Sequence, residues 1–519
     1  MSERPMNTRA EDIDQALVLT PMRLPSPNAA QLTRRIALAL GSLSRHMATA
    51  RRRGPLDRLA TARAVRKTFD DLGGTFTKFG QLVASSPGIF GEEVADEFRG
   101  CLDNGPPVPY RTLRRAIEKD LGRPIDEMFL SIEREPLAAA SLAVVHRATL
   151  LDGTEVAVKV LRPGIKRSLA TDLATLRPLA DLVGRQVAIG VAGTLPALIR
   201  GLGAQLSEEV DLANEAQCIR WFRALLDGIG AKMIRVPEPV DELCGSRTLV
   251  MELVEGVPVD DDEGIAAMGV DPRPALRECL RAWFAGLLCL GAFHGDIHAG
   301  NLLVCPDGKM AVLDWGIVGR VDEDTARFLR RLLEANLGDE SAWTEVAGYI
   351  ERQYGEGMAK ALNLDEAGWT AFVRGYLEPM FNLPIGQVDL RAMLIGSMAE
   401  GPKDDRERNT KWDQLAYWRD ERRRMRLLMA SDGFDGGFDR ATFLLGKQLI
   451  YFERYGKKYL PEVPLIDDKE AYRNLLELIG PATGEGIAVS SLKLDAAAAL
   501  IRPVSSDGDD DTLQEVVPS

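Results

Sequence analysis

HGDIHAGNLLVCPDGKMAVLDWGIVG, His294 to Gly319, is the stretch whose reading decides the fold. An apolar run from Trp283 to Phe293 leads into a polar loop that carries Asp296 and Asn301. A short apolar strand, Leu302 to Cys305, turns back through Pro306-Asp307-Gly308, and a second, Met310 to Leu313, delivers Asp314 to a bend containing Gly316. Hairpin geometry brings the start of the first strand beside the end of the second, so the three polar side chains are expected at one rim.

Such a set suits phosphoryl transfer, which asks for an orienting carboxylate and for oxygen ligands to Mg2+ rather than for covalent chemistry. Asp296 would orient or deprotonate an acceptor, while Asn301 and Asp314 would hold Mg2+ on the phosphates of ATP. An isolated Asp or Asn in a loop usually does no more than cap a turn. H-G-D-x-H-x-G-N followed by D-W-G within one hairpin's length is a much narrower pattern.

Upstream, LAAASLAVVHRATLLDGTEVAVKVLRPG, Leu137 to Gly164, reads as strand, Asp152-Gly153 turn, strand. Alternation puts Val156, Val158 and Val160 on one face and Ala157 and Lys159 on the other. A lysine on the inner face is costly to bury unless it meets an anion, either a glutamate of the chain or a bound phosphate. The Ala138-Ala139-Ala140-Ser141 run could be a tight loop with backbone N–H groups toward phosphates, although an Ala-rich loop is more often simple packing. Residues from Ile165 to Ala231 read as helical; within SEEVDLANEAQCIRWF, Glu209, Leu212, Glu215 and Ala216 fall on one flank, so Glu215 could face Lys159. A strand pair is expected next, Lys232 to Val236 with Arg247 to Leu253. The peptide groups from Glu252 to Val254 would then form the hinge and be available to an adenine edge.

Toward the N-terminus, Ala30 to Lys67 is helical and basic. Such a segment lies on an anionic membrane surface or, more commonly, packs on its own protein. In DLGGTFTKFGQLV, Gly73 and Gly74 end a helix; Phe76, Phe79, Leu82 and Val83 then recur at helical spacing, with Lys78 and Gln81 on a different face. Asp103 to Pro107 reads as a loop and Arg111 to Leu121 as an amphipathic helix. Beyond Arg320 helices are expected over Asp324–Leu337, Ser341–Arg352, Asp365–Leu377, Val388–Ala399 and Thr442–Tyr459, with a charged loop from Gly401 to Lys411.

Composition bounds the partners. At 519 residues the chain can hold a two-lobed core plus accessory helices, given ~100–200 residues per domain. A net charge of −13 argues against general nucleic-acid binding. Six cysteines without a C-x-x-C pair read as reduced core residues of a cytoplasmic protein, and four histidines without a Cys/His cluster give no structural zinc site. Charged residues interrupt the first positions, so no secretory signal is expected. The apolar stretches Val187 to Ile199 and Trp283 to Phe293 fall short of the ~20 residues that cross a bilayer. No transmembrane helix is expected, and any membrane contact would be peripheral, at the inner face, through the Arg34 to Lys67 segment.

Together these motifs resemble the UbiB/AarF/ADCK family of atypical protein-kinase-like proteins, from about Thr75 to Gly319 and more weakly to Tyr451-Phe452-Glu453-Arg454-Tyr455. Lys78-Phe79-Gly80-Gln81 is similar to the family's K-x-G-Q, Ala138 to Ser141 to its Ala-rich loop, Glu209-Val210-Asp211 to its E-x-D, and Asp296, Asn301 and Asp314 to its catalytic and metal-binding set. The resemblance implies an α+β, protein-kinase-like two-lobe fold, with a small β-containing N-lobe, a large helical C-lobe and an N-terminal helical extension over the active site. It implies ATP and Mg2+ as cofactors, Lys159 on the α/β-phosphates and paired with Glu215, and Lys78 and Gln81 entering the site toward Glu209 and Asp211. Such a cover obstructs a protein substrate, so the implied activity is that of an ATPase or a small-molecule or lipid kinase, often linked to ubiquinone or other prenyl-lipid metabolism. Val144, Trp315 and Ala299 depart from the family's more usual Gln, Phe and Pro, and every charged group is retained. The family's C-terminal transmembrane pair is not read here, which weakens the quinone link.

The expected organisation is a disordered arm over 1–28, the helical extension over 29–130, the N-lobe over 131–256, the C-lobe over 257–502 and a disordered acidic tail over 503–519. Two rival readings share the motifs: an aminoglycoside- or choline-kinase-like phosphotransferase, and a nucleotide-binding pseudokinase scaffold. K-x-G-Q and the Ala-rich loop favour the first reading over the phosphotransferase, and the retained acidic set argues against a degraded site.

Overall fold

The computed structural model describes residues 24–84, 92–101, 108–184, 199, 201, 203–354, 359, 364–388, 440–479 and 498. Outside the described residues lie the arm up to residue 23, the Asp103 to Pro107 loop, all but the end of the Val187 to Ile199 stretch, the expected helix beyond Val388, the Gly401 to Lys411 loop and the acidic tail. Eleven strands stand among the described residues: β1 Phe129–Ile132, β2 Ala138–Ala139, β3 Ala143–Leu150, β4 Glu155–Leu161, β5 Ile234–Arg235, β6 Thr248–Glu252, β7 Val257–Pro258, β8 Ala292–His294, β9 Leu302–Val304, β10 Met310–Val312 and β11 Val318–Arg320.

The β3–β4 hairpin turns at Asp152-Gly153, and β1, β3, β4 and β6 form one antiparallel sheet with β2 also on β3. Its alternation separates two cores. Val156, Val158, Val160 and Val250 pack with Leu113 and Ile117 of helix Tyr110–Leu121 on the outer face. Ala157, Leu161, Leu249 and Met251 face the main core, which runs on into the helical lobe. There β7, β9, β10 and β5 form a second sheet, and β8 pairs with β11 in a third. Helix Arg273–Leu290, buried along most of its length, leads through Gly291 into β8. Helices Glu323–Asn336, Ala342–Tyr354 and Glu366–Asn382 close a satellite core around Trp343 and Trp369, and Arg440–Tyr459 lies against the loop that follows β8. The result is the two-lobe α+β architecture.

One expectation is corrected. The segments Lys232 to Val236 and Arg247 to Leu253 do not pair with each other: β5 runs parallel to β10, with Ile234 opposite Met310, while β6 pairs with β4. Pro237 and Pro239 lack the N–H that a continuous ladder needs, so only a short stretch after β5 touches β6, through Glu252 N to Glu238 O at 2.8 Å and Val240 N to Val250 O at 2.8 Å. The region from Ile165 to Ala231, read as helical, is made of separate helices among the described residues. Helix Ile165–Gly184 is followed by a helical segment over 203–209, then a break at Val210 and an extended Asp211 that starts helix Leu212–Ile229.

The basic N-terminal segment, helices Ala29–Arg53 and Arg58–Leu72, finds its acids partly within itself, at Asp71, and partly in other helices, at Glu97 and Asp172. Arg45, His46 and Ser42 converge on Asp71, and Arg63 and Arg66 share Glu97. Arg35 is the cation that reaches furthest along the chain, to Asp172. Its Nε meets Asp172 Oδ1 at 2.7 Å, a second nitrogen donates to Leu72 O at 2.8 Å, and the guanidinium lies over the Phe76 ring. It thereby joins the end of one helix, the start of helix Thr75–Ala84 and helix Ile165–Gly184. Phe69 packs against Phe76, Phe79 and Phe98 beneath it.

Burial pushes the Asp172 carboxyl up against the pull of Arg35, so losing the guanidinium leaves a buried group without its partner. Arg35→Ala is expected to cost about 3 kcal/mol and to speed amide hydrogen exchange across helix Thr75–Ala84. Unchanged exchange in that helix would show that Arg35 does not hold it.

Candidate active site

Lys159 stands opposite Leu249 of β6 and Val145 of β3, on the face away from the valines. Helix Leu212–Ile229 presents Glu215 from its first turn. Both Glu215 oxygens accept from Lys159 Nζ, at 2.8 and 2.9 Å, and Asp314 Oδ1 accepts from it at 2.9 Å. The three ammonium protons are thus matched to two carboxylates from different lobes. Burial works against the charged lysine, but Asp314 and then Glu215 outweigh it and hold its pKa above the ordinary value. Burial likewise pushes the Glu215 carboxyl up, opposed by Lys159.

Asp314 sits at φ 55°, the one non-glycine with positive φ among the described residues. A left-handed aspartate is uncommon, and its strain has to be carried by its surroundings. Trp315 supplies the anchor: its ring lies 4.1 Å from that of Phe222 and 4.4 Å from His294, and Nε1 donates to Val312 O at 2.9 Å. Because Phe222 and Glu215 share one helix, the same packing sets the distance from Glu215 to the D-W-G bend.

The β9–β10 hairpin holds the other two groups as its geometry requires. Leu302 is opposite Val312, and Leu313 N donates to Asn301 O at 2.8 Å. His294 ties the loop from within: Nε2 bonds Leu313 O at 3.1 Å and Nδ1 accepts the Asp296 N–H at 3.0 Å, so the proton resides on Nε2. Asn301 Nδ2 donates to Asp296 O at 2.9 Å, leaving its Oδ1 for a cation. Asp296 Oδ1 accepts from Lys447 of helix Arg440–Tyr459 at 2.6 Å, and Oδ2 lies 3.9 Å from His298 Nε2. Burial opposes the Asp296 charge, but Lys447 and then His298 more than offset it and hold its pKa well below the usual carboxylate range.

Lys78 Nζ reaches 4.0 Å from Glu209 Oε2, and its charge is felt at both Asp296 and Asp314. Gln81 does not follow it toward Asp211; its amide nitrogen lies 3.5 Å from the Cys101 carbonyl, and Asp211 Oδ1 is buried without a partner among the described residues. Gly80 explains itself sterically, because a Cβ there would sit 2.5 Å from Cys101 Sγ. Ala138 and Ala139 form β2, in register with Val145 and Val144. The Ala140 N–H is taken by Ala143 O at 3.0 Å, and Ser141 is buried. Ala140 therefore offers no phosphate donor in this conformation, a correction to the loop reading. At the expected hinge the Glu252 N–H is taken by the Glu238 carbonyl, and the Glu252 carboxylate by Arg235. Val254 lies in the irregular link before Gly256, which packs directly on the Val304 carbonyl.

The sequence reading missed Lys447 and Gln448. Gln448 is fully buried; Oε1 accepts from Ile297 N at 2.7 Å and Nε2 donates to Gly295 O at 2.6 Å. The one available signal was a polar pair embedded in the otherwise apolar stretch Leu444 to Ile450.

A metal ion carried on nucleotide phosphates needs only one or two protein oxygens. Asn301 Oδ1 and the outer oxygen of Asp314, whose side chain is 45% exposed, fit that demand. Among the described residues no three His, Cys, Asp or Glu side chains form a metal cage, and no helix is long and apolar enough to cross a membrane.

Comparison with known proteins bears on this geometry. A family model for the ABC1 atypical kinase-like domain matches residues 101–346. An uncharacterized aarF domain-containing protein kinase, chloroplastic, of Arabidopsis thaliana is 33% identical over 411 residues, covering 78% of this chain and 73% of that protein. An uncharacterized Mycobacterium tuberculosis protein, Rv0647c, is 33% identical over 443 residues, 85% of this chain and 81% of its own length. Among solved structures, the complex of Mycobacterium tuberculosis Rv3197 with erythromycin aligns at TM-score 0.41 and 22% identity, over 69% of this chain and 84% of that one.

Two predictions follow from the packing of the site. Gly80→Ala is expected to destabilise by about 1–3 kcal/mol in thermal melts, and Cys101→Ala in the same chain to recover most of the loss; no recovery would remove the sulfur as the cause. Burial pushes His294 from an ordinary 6.5 down to about 4. The unfolded chain takes up that proton first, so the contribution of the neutral ring is complete above pH 6.5 and is lost as the pH falls toward 4. Melting temperature should decline across that window, and His294→Leu should flatten the decline while lowering stability at neutral pH. An equally steep decline in the variant would point to another group.

Proposed function

Since the chain belongs to the ABC1 atypical kinase-like family, the UbiB/AarF/ADCK group, we propose that it is an ATP- and Mg2+-dependent atypical kinase or ATPase. Its acceptor would be a lipid or prenyl-quinone precursor, or it would regulate that metabolism, rather than phosphorylate proteins. One observation carries the proposal: Lys159 is bound at once by Glu215 and Asp314, and the hairpin that delivers Asp314 also carries Asp296 and Asn301.

Mg2+ bound there would neutralise charge on the phosphates. Lys159, kept charged by Glu215, would contact the α/β-phosphates, with Asn301 and Asp314 as oxygen ligands to the metal. The Val254 link would meet the base. Asp296 is a weak base in its present surroundings. It would orient the acceptor hydroxyl and take its proton as the oxygen–phosphorus bond forms and ADP departs, which suits a loose transition state.

The cover formed by helix Thr75–Ala84, with Lys78 near Glu209, supports a small or lipid acceptor over a folded protein. Exposed Leu38 and Leu40, with Arg51, Arg52 and Arg53 on the same helix, would supply a peripheral membrane contact. None of the six cysteines is in a disulfide, which supports a reducing, cytoplasmic compartment. A second reading, the nucleotide-binding scaffold, is favoured by Lys447, which occupies the carboxylate that an acceptor would use.

Thermal melts and phosphate release separate the two. ATP with Mg2+ is expected to raise the melting temperature more than ATP alone. Asp296→Asn should keep that stabilisation and lose phosphate release about 100-fold or more. Stabilisation without release by the wild type, across candidate prenyl phenols and lipids, would favour the scaffold; no stabilisation by any nucleotide would sink both readings.

A further inference from the structure

Among the described residues three ammonium groups reach the pocket, and each is held by carboxylate: Lys159 by Glu215 and Asp314, Lys78 by Glu209, and Lys447 by Asp296. Two of them belong to segments already accounted for. Lys447 comes from helix Arg440–Tyr459, 151 positions from Asp296, and nothing in the nucleotide reading uses it.

The loop from Gly295 to Asn301 contains neither lysine nor arginine. Charge on a transferring phosphoryl group spreads over its equatorial oxygens, so the segment expected to hold the acceptor brings no permanent cation to that charge. Lys447 is placed to do so. Its Nζ is 2.6 Å from Asp296 Oδ1, and two groups hydrogen-bonded to one carboxylate at ~2.8 Å stand at most about 7 Å apart. An acceptor hydroxyl on Asp296, and the phosphorus it attacks, would therefore lie within reach of the ammonium. An ammonium has three donors. Among the described residues Lys447 uses one, on Asp296, while the Tyr451 ring lies 6.0 Å away.

The adjacent residue fixes the helix against the loop. Gln448 bonds the main chain at Gly295 and Ile297, one position on either side of Asp296. The backbone beneath Lys447 is thus registered to the acceptor loop by two hydrogen bonds, a precision that neutralising one carboxylate would not require.

We propose that Lys447 is a phosphoryl-binding residue, its ammonium shared between Asp296 and the γ-phosphoryl oxygens when ATP is bound, so that helix Arg440–Tyr459 forms part of the nucleotide site. The proposal rests on the nucleotide reading given above. Lys447 keeps all its protons throughout. The acceptor oxygen bonds to phosphorus, the bond from phosphorus to the β,γ-bridging oxygen breaks with its electron pair leaving on ADP, and the hydroxyl proton passes to Asp296.

The test compares ATP with ADP, which lacks the group Lys447 would touch. Affinities of the full chain are measured by thermal shift with a non-hydrolysable ATP analogue and with ADP, each with Mg2+. Lys447→Met is expected to weaken the ATP analogue about 10- to 100-fold while ADP changes little, the loss of a hydrogen bond to a charged group; Lys447→Arg should retain most of the preference. If Lys447→Met alone folds poorly, Asp296→Asn with Lys447→Met removes both charges and should still fail to prefer the analogue. Equal losses for both nucleotides, or an unchanged ratio, overturn the assignment of Lys447. A wild type that binds neither nucleotide overturns this proposal together with the nucleotide reading, whereas a binding wild type with an indifferent variant overturns this one alone.

Discussion

The ammonium of Lys159, with Glu215 on one side and Asp314 on the other, is the interaction on which the arrangement of the lobes depends. Removing a charge from water costs several kcal/mol, and a buried pair offsets this only when its geometry is good and its remaining protons are bonded. Here all three protons are bonded, and the three side chains involved come from a strand, a helix and the bend after a hairpin, remote from one another in sequence. Any one of them absent would leave a buried charge uncompensated. The sheet, helix Leu212–Ile229 and the D-W-G bend are therefore fixed relative to one another by a single side chain, and Trp315 stacked on Phe222 adds an apolar contact to the same joint.

The acceptor side is built differently, from neutral hydrogen bonds beneath one charge. His294, buried and neutral, joins Leu313 to Asp296; Asn301 returns to the Asp296 carbonyl; Gln448 bonds the chain on both flanks of Asp296. With its buried polar atoms paired, the loop has few alternative conformations of similar energy. Rigidity of this kind is what positioning catalysis needs, since phosphoryl transfer leaves the protein little covalent work.

What was legible in the sequence was what local chemistry controls. The Asp-Gly and Pro-Asp-Gly turns, the period-two valines of β4 and the helical spacing around Lys78 each act over a few residues, and each gave the right element. Lys159, Asp296, Asn301 and Asp314 could be gathered because two hairpins and a tight bend carry them. Long-range pairing left no such mark. The strand partner of Ile234 lies in another lobe, the acids that meet the N-terminal arginines lie in other helices, and Lys447 with Gln448 has meaning only once the loop it grips has folded. The break at Val210 and Asp211 was equally hidden, since neither residue is a helix breaker and the turn is set by tertiary contacts. One of these, Leu212 N to Ser246 O at 3.4 Å, reaches the strand connection from the new helix.

The balance of charge in the pocket indicates how an anionic ligand would enter it. Among the described residues four carboxylates, Glu209, Glu215, Asp296 and Asp314, face three ammonium groups, one acid more than there are bases. A bare polyphosphate would be repelled; one carrying a divalent cation would bring the charge that the extra carboxylate lacks. Among the ion pairs, Lys159–Glu215 is the least able to open, because the Glu215 side chain is 1% exposed and has no water to turn to. Asp314, 45% exposed and held at a strained φ, is the more accessible of the two partners. Were Asp314 to turn to a metal ion, Lys159 would keep Glu215 and free a proton for a phosphate oxygen, so that the contact holding the lobes in register would also meet the nucleotide.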